Sequence, residues 1–254
     1  MSDNKPQVNR TAATRKAIKQ KRAQRERRQR VFFVVAGVIV VLIILGFAVY
    51  PQIKAANTPV GAIVQITPNP RPQASGTAAG NPNAKVRIDV WEDFQCPVCR
   101  EYTQTIEPQL MQHEVASGQV YYVFHMFPFI DQANWDSANK ESHQAANAAM
   151  CASAQGQFWN YHDILFANWT GENAGDFTDA RLLAFAQSLK LDMTAFNTCF
   201  KNNSFRSQID ADYNKGISMG VNGTPSIFVN NKEVTPGSVP TYQQIQQAIQ
   251  AASK

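Results

Sequence analysis

The order of apolar patterns predicts a mixed α/β fold with a block of helices inserted between its strands, preceded by one membrane-spanning helix. Three observations carry that prediction. A run of twenty uncharged residues, Val31 to Tyr50, lies near the amino end. Short apolar or β-branched runs recur at residues 86–91, 120–127 and 226–229. Between the last two runs, the apolar residues fall at helical rather than strand spacing.

At 1.5 Å per residue, a helix over residues 31–50 spans about 30 Å, the thickness of a bilayer's hydrocarbon core. Residues 1–30 hold eleven Lys or Arg and two acids, while the rest of the chain holds 13 bases and 17 acids. The net charge of +5 therefore averages a strongly basic tail and a mildly acidic body. Bases packed against one end of an apolar run place that end in the cytoplasm. The tail is read as a membrane flank, with nucleic acid not expected as a partner. A cleaved signal peptide is the rival reading, but the apolar run exceeds a signal core of about 7–15 residues. The expected organisation is a cytoplasmic tail (1–30), a transmembrane helix (31–50), a Pro-rich linker (51–80) and an extracytoplasmic folded body (81–254).

In the body, Val86, Ile88 and Val90 alternate as one face of a strand. A helix is expected to follow at Cys96, with Pro97 at its first position, where a missing N–H costs nothing. Cys99, Tyr102, Ile106 and Leu110 share one face, so Cys99 is expected to point inward and Cys96 to stay at an exposed tip. Pro108 should kink this helix. Gly118 ends the segment and residues 120–127 form the next strand. The helical insertion, about residues 134–220, begins with an Ala-rich helix within 138–154. A second helix covers 158–166. Thr178 and Asp192 are candidate caps for two more, and another runs over 204–219. Residues 226–229 return to strand, Asn230-Asn231 suits a tight hairpin, and Tyr242, Ile245, Ala248 and Ile249 mark a last helix.

Two motifs carry chemistry. Cys96-Pro97-Val98-Cys99 sets two thiols at the start of a helix, whose free N–H groups favour a thiolate. That arrangement suits reversible disulfide exchange. Half of a zinc site is the alternative, yet structural zinc takes four ligands and no second CxxC or close His pair exists. No metal and no cofactor beyond the Cys96–Cys99 disulfide are expected. Gly223-Thr224-Pro225-Ser226, directly before a strand, reads either as a plain turn or as a cis-proline loop beside the CxxC. His125 and His143 are read as structural.

The run from Glu92 to Cys99, the QGQFW run (Gln155 to Trp159) and Gly223-Thr224-Pro225-Ser226 together resemble the DsbA-like branch of the thioredoxin superfamily. The resemblance covers about residues 81–252, with the motifs in the family's order. It implies a thioredoxin-like core with an inserted helical domain. It also implies Cys96 as attacking cysteine, Cys99 as resolving cysteine and Pro225 as the cis-proline, with Thr224 offering its backbone to substrate. A monomeric, extracytoplasmic oxidase follows, introducing disulfides into unfolded or partly folded exported proteins. Its expected recycling partner is a membrane quinone-linked oxidase of DsbB or VKOR type. Some relatives have a second disulfide in the insertion, and Cys151–Cys199 is expected to match it, since thiols outside the cytoplasm tend to pair.

Two departures stand out. Many relatives carry a buried acid six positions before the first cysteine, where this chain has Val90; Glu92, on the same strand face, is the candidate substitute. The best-known oxidases have His before the second cysteine, where this chain has Val98. The direction of electron flow is therefore open between oxidase and reductase or isomerase. A chaperone or binding module with an incidental CxxC is the reading from a different class.

Overall fold

The computed structural model describes residues 60–131, 135–136 and 140–254, together with 32–37, 39 and 43. The expected membrane helix over 31–50 therefore lies largely outside the described residues, as do the tail and the start of the linker. Residues 32–37 are helical. Among the described residues, no helix is long and apolar enough to cross a membrane.

The body is built on a five-stranded sheet with order β1-β3-β2-β4-β5. Its strands are β1 (Ala78–Gly80), β2 (Val86–Glu92), β3 (Val120–Met126), β4 (Ser226–Val229) and β5 (Lys232–Glu233). β2 and β3 are parallel, with Val86 opposite Val120 and Glu92 opposite Met126. β4 runs antiparallel to β2, which places Ser226 opposite Trp91. Asn230 and Asn231 both take positive φ, as the tight hairpin between β4 and β5 requires.

The helices are α1 (Pro97–Thr105), α2 (Glu107–Leu110), α3 (Glu141–Ser153), α4 (Phe158–Ala167), α5 (Asp179–Ser188), α6 (Met193–Lys201), α7 (Arg206–Ser218) and α8 (Tyr242–Ala252). The expected kink is present: α1 breaks at Ile106, α2 carries Pro108 in its first turn, and a π-helical turn, Met111–Val115, follows. Asp192 caps α6 by accepting from the backbone N–H groups of Thr194 and Ala195. Thr178 occupies the cap position of α5, but its side chain makes no cap hydrogen bond.

The period-two pattern of β2 divides the core. Val86, Ile88 and Val90 join Val120, Tyr122 and Phe124 in the main cluster with α1, α3–α6 and α8. Trp91 points the other way and packs with Phe127, Val221 and Phe228. There α7 lies so close that a Cβ on Gly216 would come within 2.8 Å of both Trp91 and Phe127. The expected helical insertion is present, and its last helix, α7, serves both clusters: Ile209 joins the main core, while Tyr213 and Gly216 meet Trp91 and Phe127.

The expected linker needs correction. Ile63 and Ile66 pack against the main core, Gly80 donates to the Pro72 carbonyl at 2.7 Å, and Ala78–Gly80 pairs with β3 as an edge strand. The folded body begins before Asn81 because this Pro-rich segment satisfies its backbone on the sheet and buries apolar side chains. Gly80 permits the approach: its φ is +92° and a Cβ would meet the Val120 carbonyl oxygen at 2.4 Å.

Candidate active site

β2 ends at Glu92, and the chain turns through Asp93–Gln95 to deliver Cys96 to the start of α1. Asp93 shapes the turn. Its carboxylate accepts from Gln95 N at 2.8 Å and Ile130 N at 2.9 Å, and its carbonyl accepts from Cys96 N at 3.0 Å. Burial nonetheless raises the Asp93 carboxyl to about 7. Gln95, fully buried, donates to Asp131 and Ser142 on one side, and its carbonyl accepts from Trp169 Nε1 at 2.8 Å on the other. The helical insertion thereby holds the redox loop in place.

Cys96 sits at the cap position of α1, with Pro97 at the first helical position. The expectation of an exposed tip needs correction, since Cys96 is only 7% exposed. Its protonated Sγ donates to the Thr224 carbonyl at 3.3 Å, across the Thr224–Pro225 bond, which is cis. Ionised, the same sulfur accepts hydrogen bonds, and the Cys96 thiol falls to about 6. The largest cause is the hydrogen bond from the Cys99 thiol. Burial opposes it, and the Thr224 side chain and the N–H groups of Cys99 and Val98 add to it. Those N–H groups belong to the helix's first turn, where backbone donors lack intrahelical partners, in line with the predicted helix-end effect. Val98 offers only its backbone and is 40% exposed.

Cys99, one turn in, is fully buried, and burial pushes its thiol well above the ordinary range. Both Cys96 and Cys99 are free thiols. Glu92 lies beneath them, 1% exposed and raised well above an ordinary carboxylate by burial, then by the neighbouring Glu107 and Cys96. The Thr103 hydroxyl donates to Glu92 Oε2 at 3.5 Å. Pro225 is buried, and a groove of about 210 Å³ runs along α1 between Val98, Tyr102 and Ile106 on one wall and Val239–Thr241 on the other.

The expected second disulfide is present. Cys151 on α3 bonds Cys199 on α6, with their Cα atoms 5.8 Å apart and a sequence separation of 48. The QGQFW run also has a place: Trp159 donates to the Ala78 carbonyl at 3.3 Å, and Arg71 stacks over its ring at 4.8 Å. His125 is structural, gripped by Asp89 at 2.6 Å and Asp212 at 3.0 Å, and His143 bonds Asp131 at 3.1 Å.

Sequence reasoning missed the charged layer below Glu92. Arg71 Nη2 reaches Glu107 at 3.2 Å and Asp163 at 3.1 Å, with all three side chains buried. Glu107 carried a readable signal, because it falls eight residues after Cys99 and four after Thr103, on the inward side of the kinked helix. Arg71 carried none.

The arrangement holds one stabilised thiolate, one buried thiol behind it and a buried acid within electrostatic reach of both. Such a set suits disulfide exchange through a mixed disulfide. The family model described as Thioredoxin matches residues 73–251. A probable disulfide bond formation protein D of Bacillus cereus is 25% identical over 159 residues, 62% of this chain and 71% of that protein. A Na(+)/H(+) antiporter, NhaA 3 of Salinispora tropica, is 30% identical over 153 residues, which are 60% of this chain but only 21% of that longer protein. Among solved structures, oxidised BdbD from Bacillus subtilis superposes with a TM-score of 0.60 at 22% identity, covering 75% of this chain and 99% of the other. DsbA of Chlamydia trachomatis superposes at 0.57 with 20% identity, over 74% and 96% of the two chains.

Proposed function

The chain belongs to the thioredoxin family, and from that membership and the geometry of Cys96 we propose a DsbA-like thiol–disulfide oxidoreductase that works as an oxidase. The observation that carries this reading is the Cys96 sulfur held at about 6 beside the Thr224 carbonyl, with Cys99 buried behind it. A substrate thiolate attacks Cys96 Sγ of the Cys96–Cys99 disulfide, and Cys99 leaves and takes up a proton. A second substrate thiolate attacks the substrate sulfur of the mixed disulfide, expelling the Cys96 thiolate. Two electrons pass from substrate to enzyme, which is left as the dithiol. A thiol at about 6 is a good leaving group at neutral pH, which favours release of oxidised substrate. Glu92 is the proton donor to Cys99.

Substrates in this reading are unfolded exported proteins, whose extended backbone pairs beside Thr224 and whose apolar side chains enter the groove along α1. The basic tail and apolar run support a single-pass anchor with the body outside the cytoplasm. A monomer is then reoxidised by a membrane quinone-linked partner of DsbB or VKOR type.

The test is oxidative refolding of a reduced, unfolded protein by the oxidised enzyme, with Cys96→Ala as control. Disulfides should form at a rate set by Cys96 and be lost in the variant. Equal protection of the unfolded protein by both forms would instead identify a chaperone. Alkylation trapping in intact cells then decides direction: mostly oxidised Cys96 and Cys99 support an oxidase, and mostly reduced thiols support a reductase.

A further inference from the structure

Thr224 presents its carbonyl to Cys96 at 3.3 Å from a short loop that is held at both ends. Upstream, Val221 is 2% exposed in the cluster of Trp91, Phe127 and Phe228, and its N–H donates to the Gly216 carbonyl at 3.0 Å. Downstream, Ser226 enters β4 opposite Trp91, and its hydroxyl donates to the Gly223 carbonyl at 2.9 Å. Residues 222–225 therefore bridge two fixed points, and a change of backbone length between them is felt at Thr224.

This loop opens with Asn222-Gly223, the one Asn-Gly pair in the chain. Asparagine is a chemically labile residue where the backbone nitrogen of its successor can reach its side-chain carbonyl carbon. Three features leave that path open here. Asn222 is exposed, and its side chain makes no hydrogen bond to the described residues. The Gly223 N–H likewise has no hydrogen-bond partner among the described residues. Gly223 brings no Cβ to the approach, and apart from its chain neighbours no heavy atom lies within 4 Å of where one would stand. We propose that Asn222-Gly223 is a self-modifying site, which deamidates with water as its co-reactant and so draws Thr224 away from Cys96 as the protein ages. The modification is independent of the exchange reaction proposed above, while its effect on turnover rests on that reading.

In the first step the Gly223 nitrogen attacks Asn222 Cγ. A C–N bond forms, and the side-chain nitrogen leaves as ammonia with the Gly223 proton. Water then opens the cyclic imide at either carbonyl. Opening at Cγ leaves aspartate. Opening at the backbone carbonyl of residue 222 leaves isoaspartate, whose main chain runs through Cβ and Cγ and is one atom longer. Nothing is oxidised or reduced. Either product sets a carboxylate two residues before Thr224. The added charge opposes the Cys96 thiolate, and the longer chain has to be absorbed between Val221 and Ser226, which moves the Thr224 carbonyl off Sγ. Cys96 then rises from about 6 toward an ordinary thiol and becomes a poorer leaving group.

The test ages the reduced full chain in warm, mildly alkaline buffer. Peptide mapping by mass and labelling with an isoaspartyl methyltransferase follow residue 222, and thiolate absorbance follows Cys96. The peptide holding Asn222 should lose its amide. Asn222→Gln should keep its amide, and so should Gly223→Ala, which has the space for a Cβ and no positive φ to forbid it. Asn222→Asp supplies the charge without the longer chain and should raise the Cys96 midpoint by about half a unit, the size of one exposed charge's pull. The aged wild type should rise further and lose oxidative turnover in step with its isoaspartate, whereas aged Asn222→Gln should keep both midpoint and rate. Retention of the Asn222 amide in the folded chain, with loss in a urea-unfolded control, overturns the site, because the fold then shields it. Complete deamidation with an unmoved Cys96 midpoint overturns the link to Thr224. An equal loss of turnover in aged Asn222→Gln overturns that link too, since the damage then lies elsewhere. A chain that deamidates and shifts its midpoint but exchanges no disulfides overturns the functional reading and upholds this one.

Discussion

The sulfur of Cys96 lies 3.3 Å from the carbonyl oxygen of Thr224, a residue 128 positions further along the chain. Strand pairing makes the meeting possible: β4 lies beside β2 with Ser226 opposite Trp91, so the loop before β4 and the loop after β2 open at the same sheet end. The redox pair and the backbone that would greet a substrate are thus placed by the same register.

The first prediction concerns that sulfur. Titrating thiolate absorbance in the reduced protein should give a Cys96 midpoint of about 6. The hydrogen bond from Cys99 is the largest cause of the depression, so Cys99→Ala should move the midpoint upward, toward an ordinary thiol. Part of the depression should survive, because the Val98 N–H remains. A midpoint in Cys99→Ala no higher than in wild type would contradict the assignment.

The Cys151–Cys199 bridge acts on stability at a distance from exchange. It ties α3 to α6 across 48 residues. Closing a loop of that length contributes about 4 kcal/mol in the chain-entropy model. Cys151→Ser should therefore lower the thermal midpoint clearly while leaving disulfide transfer at Cys96 nearly intact. Loss of transfer at an unchanged midpoint would show that the bridge serves the chemistry instead.

How much of this was legible in the sequence follows from how far each signal reaches. Helices α4, α6 and α8 were legible from apolar periodicity within a dozen residues, with Asp192 marking the start of α6. Cys96, Cys99 and Thr224-Pro225 sit in compact motifs whose order along the chain was itself informative. Arg71 is the contrary case. It lies between prolines in a segment without periodicity, and its carboxylate partners are 36 and 92 residues away. The burial of Cys96 was missed for a related reason: the group that covers it comes from the far end of the fold.

A third prediction follows from His125 on the opposite sheet face. Burial would pull its pKa down, but hydrogen bonds to Asp212 and Asp89 prevail and raise it. Asp89 falls to about 2, because His125 and Arg87 together outweigh its burial. A raised histidine contributes stability that is complete below about 6.5 and is lost as pH rises through its folded value. The lowered aspartate contributes stability present above about 4 that is lost as pH falls toward 2. Denaturant unfolding of wild type and His125→Gln should therefore differ most between about pH 4 and 6.5 and converge at alkaline pH. A stability difference that grows above pH 7 would contradict the pairing.

The last prediction tests the buried charge layer beneath Glu92. Arg71 is enclosed with Glu107 and Asp163, the three side chains being 2%, 0% and 6% exposed. Removing one partner of a buried ion pair leaves an uncompensated charge and costs about 3–5 kcal/mol, whereas replacing the whole pair with apolar groups can be nearly neutral. Arg71→Met should accordingly lower the urea midpoint strongly without changing the slope. Adding Glu107→Leu should return most of the loss, because Asp163 keeps His162 at 2.9 Å and the Asn69 N–H at 3.2 Å. If Arg71→Met costs under about 1 kcal/mol, the pair is wet and behaves as a surface bridge. If the double variant is no better than the single one, Arg71 acts mainly through its stacking on Trp159, and the segment before β1 is held by packing rather than by charge.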